Sequence, residues 1–141
     1  MNLIKILTLF ALFFSTAVHA QKVKNLEFQS NTRGFQEKIV INKNKVHLVR
    51  ISPQGKVDTT FSLSQKDWAQ LNKIVKGINL KHISVIKSPT EYSQTDGAKA
   101  STITVNTEKE SFTSSTFDNY NAPKELIPLM EKISAYANKI K

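Results

Sequence analysis

The sequence predicts an α+β domain in which an antiparallel sheet of about six strands carries two helices on one face. Three observations favour this class. Apolar and polar residues alternate over most of residues 26–63, the period of half-buried strands. Two later segments have apolar residues at spacings of three and four, the period of amphipathic helices. Between those segments lies a hairpin rich in serine and threonine.

The beginning of the chain has the composition of an export signal. Lys5 supplies a positive charge, Ile6–Phe14 is apolar except for one threonine, and Val18–Ala20 resembles a cleavage site. The apolar run is about half of the ~20 residues that a helix needs to span a bilayer, which favours a cleaved signal over an anchor. We therefore expect a signal peptide over 1–20 and a single α+β domain over 21–141, located in the periplasm or outside the cell.

Four strands are expected to open the domain as an antiparallel meander. Their markers are Leu26 and Phe28, then Ile39 and Ile41, then Val46–Ile51, and finally Val57, Thr59, Phe61 and Leu63. Ser30–Gly34, Asn42–Lys45 and Ser52–Gly55 are the connecting turns, and they contain the Gly, Pro, Asn and Ser residues that turns prefer.

Two amphipathic helices are predicted. Ser64 is suited to cap the first, from about Gln65 to Lys76, with Gly77 as a left-handed residue at its end. The second is expected to start near Lys124, and Pro128 must lie in its first turn or kink it. Its apolar stripe consists of Leu126, Leu129, Met130, Ile133, Tyr136, Ala137 and Ile140. We expect Trp68, Leu71, Leu129 and Ile133 to pack on the sheet face that carries Leu26, Phe28, Ile39 and Ile41.

The region between the helices is expected to complete the sheet. Leu80–Ile86 is predicted as a short strand, and Ala98–Asn106 with Glu110–Phe117 as a hairpin with one face in water. Ser88–Gly97 is the segment expected to be mobile.

Composition removes several classes of site. The chain has no cysteine, which excludes disulfides, thiolate metal sites and a cysteine nucleophile. With four glycines, it contains no phosphate-binding loop of the Walker or dinucleotide type. His47 and His82 have no neighbouring histidine or carboxylate at a metal-binding spacing. The sequence therefore predicts no metal site and no cofactor.

Positive charge is concentrated in the first strands. Residues 21–56 contain eight basic and two acidic side chains, a net charge of +6. Lys38, Lys43 and Lys45 would form an anion-binding face for an anionic polymer or membrane surface. Alternatively, the lysines keep the sheet soluble and protect its edges. The excess of lysine over arginine does not favour specific nucleic-acid recognition.

Three loop segments combine polar side chains with aromatic rings, a mixture typical of contact surfaces: Ser30–Phe35, Pro89–Ala98 and Phe117–Tyr120. The candidate binding residues are Arg33, Phe35, Tyr92, Asp96, Asp118 and Tyr120, and the opposite charges of Arg33 and Asp96 could pair. Alternatively, Arg33, Asp96 and Asp118 form a structural network that attaches the loops to the sheet.

Loop carboxylates are a possible catalytic pair, because glycan cleavage often requires two carboxyl groups. The candidates are Glu91, Asp96 and Asp118. Asp96-Gly97 is also a common turn dipeptide, and Asp118-Asn119 begins a loop. No residue is assigned a catalytic role.

The order of short motifs resembles a family of small exported proteins of Gram-negative bacteria that has no established activity. The motifs are Thr32-Arg33-Gly34-Phe35, the Trp68 helix, Pro89-Thr90, Asp96-Gly97-Ala98, Phe117-Asp118 and the Pro-x-x-Leu segment Pro123–Leu126. The resemblance implies an exported α+β domain and transfers no catalytic residue.

Three function classes follow. The first is an exported, non-enzymatic binding module that presents loops or an edge strand to a protein partner, for example as an inhibitor or ligand of an envelope or extracellular protein. The second is an electrostatic binder of anionic envelope material. The third is a small carboxylate-dependent hydrolase. The sequence leaves the partner and the oligomeric state open.

Overall fold

A computed structural model describes residues 21–140, so the predicted signal peptide lies outside the described residues. The strands are β1 (Val23–Thr32), β2 (Phe35–Ile41), β3 (Lys45–Ser52), β4 (Gly55–Ser62), β5 (Ala100–Thr107), β6 (Ser111–Thr113) and β7 (Phe117–Asp118). The helices are α1 (Gln65–Lys76) and α2 (Ile127–Ala137). Three short 3₁₀ helices span Leu80–Val85, Tyr92–Thr95 and Lys124–Leu126.

The strands form one antiparallel sheet in the order β4-β3-β2-β1-β5-β6, and β7 pairs with β5. The four-stranded meander is therefore confirmed. Its register aligns the apolar side chains, because Phe28 lies opposite Ile39 and Ile39 lies opposite Leu48. On the other side of β1, Phe28 also lies opposite Ile103 of β5. The predicted α+β class, with an antiparallel sheet and two helices, is confirmed.

One face of the sheet and the apolar stripes of both helices enclose a single core. Leu26, Phe28, Ile39 and Ile41 are buried in it together with Leu71 of α1 and Leu129 and Ile133 of α2, as expected, while Trp68 is half-buried at its edge. The side chains that alternate with the buried ones point to the opposite face, called the open face below. Gln29, Lys38 and Lys45 are exposed there.

The helix ends follow the sequence with one correction. Ser64 caps α1, since the Asp67 N–H donates to its Oγ at 3.1 Å and that Oγ donates to Asp67 Oδ2 at 2.9 Å. Gly77 is not left-handed, because its φ is −81° and its N–H bonds to the Ile74 carbonyl in a tight final turn. A 3₁₀ turn at Lys124–Leu126 precedes α2, and Pro128 lies in the first turn.

Leu80–Ile86 is not a strand. Its buried residues are Ile83 and Ile86, three positions apart, which matches a 3₁₀ helix instead of the two-residue period of a strand. This segment also interrupts the second hairpin strand. The Ser115 N–H donates to the Ile83 carbonyl at 2.9 Å and its hydroxyl donates to the Ile86 carbonyl, so the expected strand Glu110–Phe117 is divided into β6 and β7.

None of the helices within residues 21–140 has the length and hydrophobicity that a membrane crossing requires.

The core assignment predicts a large difference between two apolar side chains of α2. Leu129 is fully buried, whereas Ile127 is 43% exposed. Leu129→Ala should lower the free energy of unfolding by about 2–5 kcal/mol, because it leaves a cavity among packed side chains. Ile127→Ala should cost less than about 1 kcal/mol. Reversible denaturant unfolding measures both, and similar losses would contradict the assigned helix face.

Candidate functional site

The three aromatic loop segments lie at the same end of the sheet, called the loop end below. It consists of the β1–β2 turn within Ser30–Phe35, the segment Pro89–Ala98 and the segment Phe117–Tyr120. The sheet register brings them together: Thr32 pairs with Phe35, and Ala100, the first residue of β5, pairs with both Asn31 and Asp118.

Asp118 anchors one of these segments to the sheet. The residue is 2% exposed, and its carboxylate accepts three hydrogen bonds from residues more than twenty positions earlier in the chain. Thr90 Oγ1 donates at 2.6 Å, the Tyr92 N–H at 2.7 Å and the Ser93 N–H at 2.9 Å. Burial alone raises the pKa of Asp118, but the hydrogen bonds from Thr90, Ser93 and Tyr92 outweigh burial and lower it to about 2.

This anchor changes the interpretation of three predictions. Asp118 does not form part of an exposed contact surface, because its carboxylate is buried beneath the segment that it binds. The segment Ser88–Gly97, expected to be mobile, is instead hydrogen-bonded to β7 and contains the 3₁₀ helix Tyr92–Thr95. Two carboxylate oxygens that already accept three hydrogen bonds are also poorly placed to act on a substrate, which weighs against Asp118 as a catalytic group.

A tight turn ends the anchored segment. Asp96 adopts a left-handed conformation with φ 58°, and the Gly97 N–H returns to the Tyr92 carbonyl at 2.9 Å. A Cβ atom at Gly97 would lie 3.2 Å from that carbonyl oxygen, so the turn fits glycine closely. Asp96 therefore serves the turn geometry that the Asp-Gly dipeptide indicates, and its side chain is exposed.

The face of the sheet that packs against the helices is called the covered face. At the loop end, this face carries a row of polar side chains. Ser101, Ser30, Glu37 and Arg50 lie opposite one another on β5, β1, β2 and β3. The two serine hydroxyls are 2.8 Å apart and buried, and Arg50 Nε donates to Glu37 Oε2 at 2.5 Å. Glu37 is 2% exposed, so removal of Arg50 would leave a buried charge without its partner.

Tyr120, the last residue of the Phe117–Tyr120 segment, contacts this row at Glu37. Its hydroxyl donates to Glu37 Oε1, and its ring lies 5.2 Å from the Phe28 ring, centroid to centroid. Burial and the neighbouring Glu37 carboxylate raise the pKa of Tyr120 above its ordinary value. Tyr120 is therefore a structural clamp that also leaves 36% of its surface exposed.

The remaining candidates are distributed over the surface of the loop end. Lys99 Nζ lies 3.6 Å above the centre of the half-buried Phe35 ring, a cation–π contact. Arg33 and Asp96 are both exposed, and within residues 21–140 they form no ion pair, so the expected pairing is wrong. Tyr92 is 63% exposed while its own N–H is bonded to Asp118.

The three lysines of the anion-binding hypothesis do not converge. Lys38 lies on the open face, 3.4 Å from the Glu27 carboxylate. Lys45 is on the same face, but Lys38 pairs with Val49, four residues further along β3, a separation of roughly 13 Å at ~3.3 Å per residue. Lys43 lies in the β2–β3 turn and faces a groove at the far end of the sheet.

Glu37 and Arg50 were not among the sequence candidates, although their positions carried a signal. Each continues the buried alternation of its strand, Glu37 with Ile39 and Ile41, and Arg50 with Leu48 and Val46. Two opposite charges in phase with the buried face of neighbouring strands indicate an internal ion pair.

The part of the chain from 21 to 140 contains no group of three or more His, Cys, Asp or Glu side chains that could hold a metal ion. No protein-family model matches the chain, and neither a curated protein nor a solved structure is significantly similar to it. The functional argument therefore depends on the geometry of the loop end.

The anchor predicts a pH-dependent contribution to stability. Folding lowers the pKa of the Asp118 carboxyl group from its ordinary value of 3.8 to about 2. Its charged form therefore stabilises the folded state at pH values above 3.8, and this stabilisation is lost as the pH falls toward about 2. Asp118→Asn should therefore lower the Tm at neutral pH, and the difference from the parent should shrink between about pH 5 and pH 2. Thermal unfolding followed by circular dichroism measures it.

Asp96→Asn is the matched control, because it makes the same chemical change at an exposed position of the same loop. It should unfold like the parent across this range. A difference between Asp118→Asn and the parent that stays constant with pH would contradict the anchor.

Proposed function

We propose that this protein is an exported, non-enzymatic binding module whose loop end contacts a protein partner. The observation that carries the proposal is that Tyr92 combines an exposed side chain with a hydrogen-bonded backbone. Its backbone N–H is fixed by the buried Asp118 carboxylate at 2.7 Å, while 63% of its side chain is exposed. A large aromatic side chain on a fixed backbone is an arrangement that binding surfaces use.

The rigidity of the segment supports this proposal. Ordering a loop when a complex forms lowers the affinity, because conformational freedom is lost at that moment. Here the hydrogen bonds that the Tyr92 and Ser93 N–H groups donate to Asp118, together with the Gly97 turn, have already ordered the segment. Arg33 and Asp96 add exposed charges of opposite sign at the same end of the sheet. The loop end thus combines the exposed aromatic side chain of Tyr92 with two exposed charged residues.

Export belongs to the same proposal and is supported by the composition of residues 1–20. The partner would then be an envelope or extracellular protein, and inhibition of such a protein is one form of the proposed activity. The hydrolase alternative has less support, because Asp118 serves as an anchor and Glu91 and Asp96 lie exposed in the adjoining loop.

The proposal predicts selective loss of binding when Tyr92 is truncated. Immobilised protein comprising residues 21–141 should retain a specific species from the envelope or culture medium of the producing bacterium. Tyr92→Ala should weaken this retention by roughly tenfold or more, because truncation of a hot-spot aromatic residue typically costs about 2 kcal/mol or more. Its Tm should remain near that of the parent.

Val85→Ala is the matched control, because Val85 is an exposed apolar side chain, 69% accessible, in the 3₁₀ helix Leu80–Val85 and outside the three loop segments. This variant should retain the same species as the parent. Equal retention by the parent, Tyr92→Ala and Val85→Ala would exclude the loop end as the contact surface.

A further inference from the structure

A second concave surface lies at the opposite end of the sheet from the loop end. It is a groove of about 320 Å³ between the start of β1, the β2–β3 turn, the β5–β6 turn and α1. The charged and aromatic side chains that line it are Lys22, Lys24, Lys43, Trp68 and Glu108. Its volume falls at the lower end of the range for small-ligand sites.

Hydrogen bonds hold the backbone walls of the groove in place. Asn42 Oδ1 accepts the N–H groups of Asn44 at 3.0 Å and Lys45 at 3.1 Å, which fixes the β2–β3 turn. The Asn44 carbonyl accepts the Leu63 N–H at 2.9 Å, and the Lys22 carbonyl accepts the Glu108 N–H at 3.2 Å. A ligand would thus meet a preformed recess.

The groove carries an excess of positive charge. Three lysines line it with one carboxylate, and Lys22 Nζ lies 3.6 Å from Glu108 Oε1. Lys24 and Lys43 form no ion pair with any residue between 21 and 140. Two ammonium groups on a fixed recess therefore remain available to an anionic ligand.

Besides the lysines, the groove contains the flat, apolar indole ring of Trp68. Its indole is half-buried and is the one aromatic ring that lines the groove. A ring with an apolar face and a negatively charged edge, such as a uronic acid or a sulfated sugar, would place its face on the indole and its charge beside the lysines. Nucleic-acid sites stack successive bases on several aromatic rings, and a bilayer surface contacts protruding side chains more readily than a recess.

We propose that this groove binds one sugar unit of an anionic polysaccharide, with Trp68 as the platform and Lys24 and Lys43 as the charge partners. The site is separate from the loop end and does not depend on the proposed protein partner. The geometry also separates the three lysines of the anion-binding hypothesis. Lys43 belongs to the groove, whereas Lys38 and Lys45 project from the open face.

Trp68 is the single tryptophan of the chain, so its fluorescence reports ligand contact directly. The probe is polygalacturonate, titrated at low ionic strength where charge attraction is least screened, and neutral dextran is the uncharged comparison. Polygalacturonate should produce a saturable change in Trp68 emission, and dextran should produce none. The absence of a saturable change with polygalacturonate would overturn the proposal.

Two double variants with the same charge change locate the site. Lys24→Gln/Lys43→Gln should weaken binding by about fivefold or more, whereas Lys38→Gln/Lys45→Gln should change it by less than about twofold. Equal losses would mean diffuse charge attraction without a site and would overturn the proposal.

Inorganic polyphosphate tests the identity of the ligand. If it binds more tightly than polygalacturonate and produces the same change in Trp68 emission, the ligand is a phosphate polymer and the saccharide assignment is wrong. Tyr92→Ala should bind polygalacturonate like the parent, which separates this result from failure of the proposed function.

Discussion

The arrangement of the loop end depends on the buried Asp118 carboxylate. The Pro89–Ala98 segment belongs to no strand, so its N–H groups need other acceptors, and Asp118 accepts those of Tyr92 and Ser93. The pairing of β7 with β5 fixes the position of the carboxylate. Asn119, left-handed with φ 51°, then returns the chain to Lys99 through two hydrogen bonds. One carboxylate thus links a non-repetitive segment to the sheet.

The covered face of the sheet has two chemically different ends. Toward the Trp68 groove it is apolar and packs against the helices, while toward the loop end it changes to the row of Ser101, Ser30, Glu37 and Arg50. Arg50 also approaches the Ala137 carbonyl at the end of α2, with Nη2 3.5 Å away. A buried ion pair of this kind contributes little net stability, but its partners must adopt a single arrangement to be satisfied. We infer that it fixes Tyr120, and hence the Phe117–Tyr120 segment, relative to the sheet.

The sequence predicts those parts of the molecule that depend on local periodicity. The strands marked by Leu26, Ile39 and Val46 and the helix that begins after Ser64 are correct, because their buried residues recur at the period of the element. Leu80–Ile86 was predicted as a strand but forms a 3₁₀ helix, because a short apolar segment fits both the two-residue period of a strand and the three-residue period of a 3₁₀ helix. The Asp118 contacts are not local: the acceptor and its donors are separated by 25 to 28 residues, so no pattern near Asp118 indicates them. The exposure of Tyr92 and Arg33 likewise follows from tertiary structure.

The measurement that tests the account most directly is amide hydrogen exchange of Tyr92 and Ser93 in the protein comprising residues 21–141, followed by NMR. Because both N–H groups donate to a buried carboxylate, they should exchange much more slowly than in an unstructured peptide of the same sequence. In Asp118→Ala both should lose this protection, while the N–H of Phe28, at the centre of the sheet, remains protected. Exchange of Tyr92 and Ser93 at the unstructured rate in the parent would contradict the claim that Asp118 orders the Pro89–Ala98 segment.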